Sequence, residues 1–473
     1  MTLGLPKSSD IAVKLGKRSL SYLDLDCRAQ DDDFASLFEL KKYEDHAGNV
    51  GIMVEDKLAF VQVLMKLWSN PIALILLEPQ ADKALKEQIV SCDIDHIVSD
   101  LVLPNYKIVG QFLAAEKRLW IYQATQSKNN PVYVKDGFIG LFTSGSSGKP
   151  KLCVLDKSSV IENAKAVQKY LNIGSQHQTF LTLPLTYSYG LSQLLIFLRQ
   201  KALVQLGQSL FTPDLALQSL ASIPCSHYAA TPYFYEAMAS QSSSVFGSIQ
   251  HISTWLNAGG YINPSRIETI CKKLPNSQFI NNYGQTEAGP RLGYSKFTSS
   301  SKSYQGIQSS VYGVELNIEA QDARGIGQIV YQSSYQMLGY YHELKAGLKM
   351  PKKRQTGDIG RVSEGGGIEL LGRRDQMLKI NGRKVYPQII QQKIQSLESV
   401  RNILIQKKNH ATFGEYLEAQ VCPENKLDDP HKFKLQLRSY LRQRLSKWEI
   451  PRHIIVSDSL AVNANGKILG KKP

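Results

Sequence analysis

Short apolar segments alternate with amphipathic helical segments over the first two thirds of the chain, which narrows the possible folds. Residues 50–54 and 72–77 are apolar runs of strand length, and residues 58–68 between them have helical periodicity. The same order recurs further along, in residues 179–184, 191–200 and 202–206. Such alternation predicts an α/β fold of layered, mostly parallel sheets with helices on their faces.

The sequence changes character near Gly372, after a glycine-rich turn. One strand pattern between two helical patterns follows, at residues 389–397, 400–406 and 431–445. A chain of 473 residues is also too long for one compact core. We therefore predict a large N-terminal domain of residues 1–372 and a small α+β C-terminal domain of residues 373–473, with a hinge near Asp375.

Composition and charge argue against several classes of protein. No apolar run approaches the roughly 20 residues of a membrane span, and residues 1–18 lack a signal-peptide pattern. The six cysteines are scattered without a CxxC pair, which favours reduced thiols in the cytoplasm over a zinc site or disulfide framework. The net charge is +15, but the basic residues are spread out, which favours small anions or an acidic partner over nucleic acid.

A segment rich in glycine and serine, residues 143–151 with the sequence TSGSSGKPK, lies between two apolar strand patterns. Hydroxyl groups and backbone N–H groups beside glycine can surround an anion, and lysine adds charge. Only two residues separate Gly145 from Gly148, so the segment is not a Walker loop, although alone it could equally be a surface hairpin. The residues that we expect to hold phosphate are Thr143, Ser144, Gly145, Ser146, Ser147, Gly148 and Lys149.

This segment resembles the phosphate loop of the adenylate-forming (AMP-binding) superfamily, of the acyl-CoA synthetase or AMP-dependent acid ligase type. Further motifs similar to that family's follow in its order over more than 300 residues. They are LNAGGYINP, NNYGQTEAGPR, TGDIGRV, LGRRDQMLKINGRKVYP and NANGKILGKKP. The resemblance implies ATP as a substrate and Mg²⁺ as a cofactor.

The resemblance also implies a nucleotide site. In the family, the residue at the position of Tyr283 stacks on adenine, and Gly259 and Gly260 line the adenine and acyl sites. Asp358 is expected to bind both ribose hydroxyls, which a carboxylate can accept as a pair. Arg373 is expected at the ribose and phosphate. Each of these residues alone could equally belong to an ordinary turn or loop.

The remaining family positions imply the chemistry. Thr286 is expected at the α-phosphate, and Glu287 is expected to help hold Mg²⁺, which prefers oxygen ligands. By resemblance, Lys467 binds the carboxylate and α-phosphate during adenylation, and Lys379 lies near the thioester-forming face. The family also implies a mobile C-terminal domain that rotates about Asp375 between two half-reactions.

The acid is less constrained. The segment LPLTYSYGLS resembles the acyl-site segment of acyl-CoA synthetases, so Tyr187, Tyr189 and Gly190 are expected at the acid. Tyr187 stands where many such enzymes carry histidine. Amino-acid-activating relatives place an aspartate near the position of Ser188, and none is present here. This favours a fatty, aryl or other simple carboxylic acid over an α-amino acid.

Together these features predict an ATP-dependent acid–thiol ligase that forms acyl-AMP, releases pyrophosphate and passes the acyl group to CoA. One alternative is a stand-alone enzyme that loads the phosphopantetheine thiol of a separate acyl carrier protein. A second alternative, from another class, is a nucleotide-binding protein without ligase activity. Binding of nucleic acid through the basic surface is the third.

Overall fold

The structure is a computed structural model, and it describes residues 3–5, 7–26, 48–80, 82–124, 131–144, 150–207, 212–301, 306–380, 383–397, 399–410 and 414–458. Its strands are β1 Ile11–Leu15, β2 Arg18–Ser21, β3 Asn49–Met53, β4 Ala73–Leu76, β5 Ile94–Ser99, β6 Lys107–Ala114, β7 Lys117–Gln123, β8 Phe138–Ser144, β9 Pro150–Asp156, β10 Gln178–Leu181, β11 Leu203–Leu206, β12 His227–Ala230, β13 Thr254–Asn257, β14 Gln278–Tyr283, β15 Gly293–Phe297, β16 Ser309–Ser310, β17 Val314–Glu319, β18 Gly327–Ser333, β19 Gly339–Tyr340, β20 Lys353–Val362, β21 Ile368–Arg373, β22 Leu378–Ile380, β23 Arg383–Val385, β24 Val400–His410, β25 Gly414–Pro423 and β26 His453–Val456.

The α-helices are Tyr22–Leu25, Lys57–Trp68, Asp82–Ser91, Lys157–Leu171, Ser188–Arg199, Pro213–Ser222, Pro232–Ala239, Ser243–Ser248, Pro264–Lys273, Tyr341–Lys345, Pro387–Gln395 and Pro430–Arg442. Several begin with proline, which fits the first helical turn because its missing N–H has no partner there anyway. The predicted alternation of strands and helices is confirmed, with shifts of a few residues at the element ends.

Two large sheets form the main body. The first has the order β16-β15-β14-β13-β12-β10-β11-β1-β2, and its pairings from β14 to β1 are parallel. The second has the order β19-β9-β8-β4-β3-β5-β7-β6, and it is parallel from β8 to β5. Both sheets have antiparallel edges. The predicted fold of layered sheets with helices is confirmed, with parallel pairing at the centre of each large sheet and antiparallel pairing at the edges.

Three helices pack between the two large sheets. Lys57–Trp68, Lys157–Leu171 and Ser188–Arg199 share one hydrophobic core with strands of both sheets. Every residue from Gly190 to Leu198 is buried. A helix that is apolar on all sides must be covered on all sides, which is why this segment lies between layers.

The C-terminal part of the chain has its own core. A four-stranded antiparallel sheet, β17-β18-β20-β21, precedes it. The three-stranded sheet β24-β25-β26 then packs with helices Pro387–Gln395 and Pro430–Arg442 in a separate hydrophobic cluster that runs from Ile380 to Ile454. The α+β composition of this region agrees with the prediction, and the boundary at residues 372 and 373 stays a prediction. Among the described residues, no helix is long and apolar enough to cross a membrane.

Candidate active site

A cleft of about 2940 Å³ lies where the carboxyl ends of β10, β12, β13 and β14 meet. The first residue after each of these strands lies in its wall: Thr182, Thr231, Ala258 and Gly284. Residues of β24 form the opposite wall, so the cleft separates the main body from the C-terminal core. The carboxyl edge of parallel strands is where open α/β sheets bind their ligands.

Three of the predicted nucleotide residues form one hydrogen-bonded group at this cleft. The Tyr283 hydroxyl donates to one carboxylate oxygen of Asp358 at 2.6 Å, and Arg373 Nη1 donates to the other oxygen at 3.2 Å. Asp358 and Arg373 are directly opposed on β20 and β21, which fixes their spacing. Each carboxylate oxygen has two lone pairs, so Asp358 can still accept hydrogen bonds from two ribose hydroxyls.

Burial and charge act in opposite directions on this group. Burial raises the pKa of Asp358, and the hydrogen bond from Tyr283 and the Arg373 charge reduce that rise. Burial, followed by the nearby Asp358 charge, holds the pKa of Tyr283 well above its ordinary value, so the phenol stays protonated and donates. The group is therefore arranged before any ligand binds, which lowers the cost of ordering it.

The glycine of the TGD motif makes room for this arrangement. Gly357 has φ +80°, and a Cβ added there would lie 2.8 Å from Arg373 Nη2. Any other residue at this position would be strained and would push the guanidinium away from Asp358. The motif thus needs its glycine for the packing of Arg373.

The predicted phosphate and metal residues lie on a 3₁₀ turn, Thr286–Ala288, directly after β14. The hydroxyls of Ser188 and Thr286 are 2.9 Å apart. The Tyr340 hydroxyl donates to Glu287 Oε1 at 2.9 Å, and burial together with the Glu287 charge raises the Tyr340 pKa. Both side chains are therefore held by residues from distant parts of the chain.

A single carboxylate suits Mg²⁺ when substrate phosphates supply other ligands. Among the described residues, no group of three or more His, Cys, Asp or Glu could hold a metal ion by itself. Glu287 lines the cleft and presents an acidic oxygen beside Thr286. The donor set therefore fits Mg²⁺ bound together with a nucleotide.

The predicted acid-site residues lie at the start of helix Ser188–Arg199. Tyr187 is half exposed, and its hydroxyl donates to Glu78 Oε2 at 3.2 Å. Tyr189 points inward and donates to the Leu256 carbonyl at 2.8 Å. A Cβ on Gly190 would lie 2.1 Å from the Pro184 carbonyl oxygen, so this glycine permits close packing of the helix start.

Gly259 and Gly260 also line the cleft, after β13. Gly259 has φ +88°, and both residues are exposed. Thr143 lines the cleft at the end of β8, and its hydroxyl approaches the Lys151 carbonyl at 3.4 Å. The structure therefore brings most of the predicted nucleotide and acid residues to one surface.

One described residue, Lys379, is not brought to this surface, and other predicted residues lie outside the described part of the chain. Lys379 is exposed on β22 and is not among the residues that line the cleft. Outside the described residues lie Gly145, Ser146, Ser147, Gly148, Lys149 and Lys467, together with the side chain of Ser144. The strands β8 and β9 that flank the predicted phosphate loop do form an antiparallel pair.

Sequence reasoning missed four residues of the cleft: Glu78, Ser188 as the partner of Thr286, Tyr340 and Arg291. Tyr340 lies in no motif, and only the fold brings it to Glu287. Arg291 is the last residue of the motif NNYGQTEAGPR and its only basic residue, which was a usable signal.

Comparisons with known proteins identify the family that this chain resembles. The model of the family described as AMP-binding enzyme matches residues 6–341. The chain is 26% identical over 334 residues to a putative long chain fatty acid-CoA ligase, VraA, of Staphylococcus haemolyticus, covering 69% of this chain and 68% of that protein. It is 25% identical over 372 residues to the D-alanine–D-alanyl carrier protein ligase of the same species, covering 73% and 74%.

The fold agrees with solved structures as well. ATP-bound MatB from Rhodopseudomonas palustris superposes with a TM-score of 0.77 at 17% identity, covering 98% of this chain and 96% of that one. For the first curated relatives, the aligned part of the chain spans between 62% and 68% of the relative. The structural likeness extends over nearly the whole chain.

Proposed function

Because the chain belongs to the AMP-binding enzyme family, we propose that it is an ATP-dependent acid–thiol ligase. In this proposal it converts a carboxylic acid to acyl-AMP, releases pyrophosphate and then transfers the acyl group to a thiol, which is CoA. The observation that carries the proposal is the Tyr283–Asp358–Arg373 group, which lies in the same cleft as the Thr286–Glu287 turn. A ribose site beside a phosphate site is what an adenylating enzyme needs.

In the first half-reaction, a carboxylate oxygen forms a bond to the α-phosphorus of ATP. The bond from that phosphorus to the bridging oxygen breaks, and pyrophosphate leaves. No proton has to be removed from a carboxylate, so catalysis consists of positioning two anions and stabilising charge on the phosphoryl oxygens. Thr286, held by Ser188, would donate to those oxygens, and Lys467 would add a positive charge. Mg²⁺ held by Glu287 supplies further electrostatic stabilisation when bound.

In the second half-reaction, a thiol attacks the acyl carbonyl and AMP leaves. We propose that the C-terminal domain, residues 373–473, turns about Asp375 between the two steps. Two facts support a change of arrangement: Lys379 lies outside the cleft, and β24 forms a wall of it. The five described cysteines are buried and free, which suits an enzyme of a reducing compartment such as the cytoplasm.

Isotope exchange between pyrophosphate and ATP tests the first half-reaction. The protein is incubated with ATP, Mg²⁺, labelled pyrophosphate and a panel of fatty, aryl and dicarboxylic acids. We expect acid-dependent exchange, and with the active acid we expect CoA to yield a thioester and AMP. Absence of exchange with every acid would favour a nucleotide-binding protein without ligase activity.

A second acceptor is also supported. The chain carries a net charge of +15, and one relative is a carrier protein ligase. An acidic carrier protein with a phosphopantetheine thiol would be attracted to such a surface. Acid-dependent exchange without thioester formation from CoA, followed by acylation of a supplied holo carrier protein, would identify that acceptor.

A further inference from the structure

Two arginines that line the cleft, Arg291 and Arg354, are buried and form no ion pair with a described carboxylate. Arg291 lines the cleft, yet only 2% of it is exposed. Its Nε and Nη2 groups have no hydrogen-bond partner among the described residues, and it forms no ion pair with a described carboxylate. An arginine cannot lose its proton at neutral pH, so this position holds a permanent, incompletely paired charge.

The surroundings of Arg291 fix the guanidinium in place. It stacks on the face of Tyr189, with its central carbon 4.4 Å from the ring centroid. It also lies near the Tyr170 phenol, where it opposes the burial that raises the Tyr170 pKa to about 12. The Tyr170 hydroxyl itself donates to Asn282 Oδ1 at 2.5 Å. These aromatic contacts orient the cation but do not neutralise it.

A second buried arginine of the cleft is more fully hydrogen-bonded. Arg354 donates from Nη2 to the Met337 carbonyl at 2.7 Å and from Nε to the Pro351 carbonyl at 3.4 Å. Only its Nη1 group has no partner among the described residues. In Arg291 both Nε and Nη2, two adjacent donors, have no such partner. Leaving a buried charge unpaired is costly, so a partner is expected when the cleft is filled.

We propose that Arg291 binds a second carboxylate, at the far end of the acid that the enzyme activates. This inference rests on the proposed ligase function and names its substrate class as dicarboxylic acids. A guanidinium pairs with a carboxylate through two parallel N–H···O bonds, and Nε with Nη2 form one such pair of donors. The reacting carboxylate would lie at Thr286, and the chain of the acid would run past Tyr189 to Arg291.

A matched substrate panel tests the proposal. Exchange between pyrophosphate and ATP is measured with straight-chain dicarboxylic acids from malonate to suberate. Each is compared with the monocarboxylic acid of equal length, from propionate to octanoate. We expect one dicarboxylic acid to exceed its monocarboxylic partner by about 100-fold in kcat/KM, because a site built for a polar group strongly rejects the analogue that lacks it.

Substitution of the arginine identifies the residue responsible. Arg291→Met is expected to lower that preference ratio by about 100-fold, and Arg291→Lys is expected to retain part of it. The matched control is Lys296→Met, because Lys296 is exposed on the far side of the Tyr170–Tyr294 stack and donates to the Tyr170 carbonyl. The control should keep the wild-type ratio.

Thermal unfolding separates recognition from a structural role. Arg291→Met is expected to unfold at the same or a higher temperature, since it removes an unpaired buried charge. Exchange with monocarboxylic acids but no preference for a dicarboxylic acid would overturn this inference and leave the ligase intact. The inference would also be overturned if Arg291→Met unfolded at a lower temperature than wild type while its preference for the dicarboxylic acid was unchanged. Absence of exchange with every acid would overturn the ligase proposal as well.

Discussion

The two ends of the cleft differ in how their charges are satisfied. At the nucleotide end, Asp358 is paired with Arg373 and Tyr283, and Glu287 accepts from Tyr340. At the proposed acid end, the Nε and Nη2 donors of Arg291 have no partners among the residues that the structure describes. The first end is complete before a ligand arrives, as suits a nucleotide that is the same in every turnover. We propose that a ligand completes the second end, which would then determine the choice of acid.

The largest expected effect concerns the chemistry that both ends serve. Lys467→Ala should lower the rate of acid-dependent pyrophosphate exchange by about 1,000-fold, because it removes a positive charge that is needed only as charge develops on phosphorus. Stability should hardly change, and urea unfolding monitors it. Lys471→Ala is the matched control and should keep its activity. Equal loss in both variants would show that the tail acts only through its overall charge.

The nucleotide end is tested next by removing the charge of Asp358. Asp358→Asn should raise the KM for ATP by about 100-fold, since two charge-assisted hydrogen bonds and the ribose contacts are weakened. Glu369→Gln serves as the control, because Glu369 pairs with Arg361 on the exposed part of the same strand pair. A KM that is unchanged in Asp358→Asn would place the ribose elsewhere.

The sheet that contains β12 also contains a buried histidine, and low pH should destabilise the fold through it. His227 on β12 is 2% exposed, and burial lowers its pKa from 6.5 to about 3. Below pH 6.5 the unfolded chain binds a proton that the folded protein excludes. The free energy of unfolding should therefore fall by about 1.4 kcal/mol per pH unit, or tenfold in the folding equilibrium, as pH decreases toward 3.

Urea unfolding at several pH values between neutrality and mild acid measures this slope. His227→Gln should flatten the slope by one proton. His251→Gln, at an exposed histidine that contacts the Ile223 carbonyl, is the matched control for loss of an imidazole. An identical pH dependence in His227→Gln and wild type would show that His227 is protonated in the folded state.

The smallest expected effect concerns the contact between the two cores. Arg266 bridges Glu236, on a helix that lines the cleft, and Glu424, at the end of β25, at 3.1 and 2.8 Å. Glu424→Gln should speed thioester formation relative to adenylation by up to about fivefold, because partly exposed ion pairs contribute only about 1 kcal/mol or less. Single-turnover rates with and without CoA report that ratio.

Glu418→Gln is the control for this contact, since Glu418 pairs with Lys408 inside the C-terminal sheet. It should leave the ratio unchanged. A Glu424→Gln variant whose ratio equals that of the control would show that the bridge does not restrain the C-terminal region.

The sequence predicted elements whose pattern is local. Helix Lys57–Trp68 and helix Pro430–Arg442 were expected because their apolar spacing is written in neighbouring residues. The antiparallel sheet edges were missed because strand direction depends on connections rather than on apolar content. Tyr283, Asp358 and Arg373 were expected together only through a family resemblance.

The sequence did not predict contacts between segments that are distant along the chain. The Ser188–Thr286 and Tyr340–Glu287 pairs join residues that no periodicity relates. The burial of Arg291 is likewise a property of packing, since nothing in the motif shows that Tyr189 covers it. The motifs therefore named residues of both ends of the cleft, whereas their contacts with residues outside the motifs could not be predicted.

Transfer of an oxygen atom from the acid to AMP tests whether the protein forms an acyl-adenylate. The active acid, labelled with 18O in its carboxyl group, is incubated with the protein, ATP, Mg²⁺ and CoA, and the AMP is analysed by mass spectrometry. Attack of the carboxylate on the α-phosphorus leaves one carboxyl oxygen on phosphorus. The proposed reaction therefore predicts AMP that carries one 18O atom. Unlabelled AMP, or ADP with labelled phosphate, would contradict it.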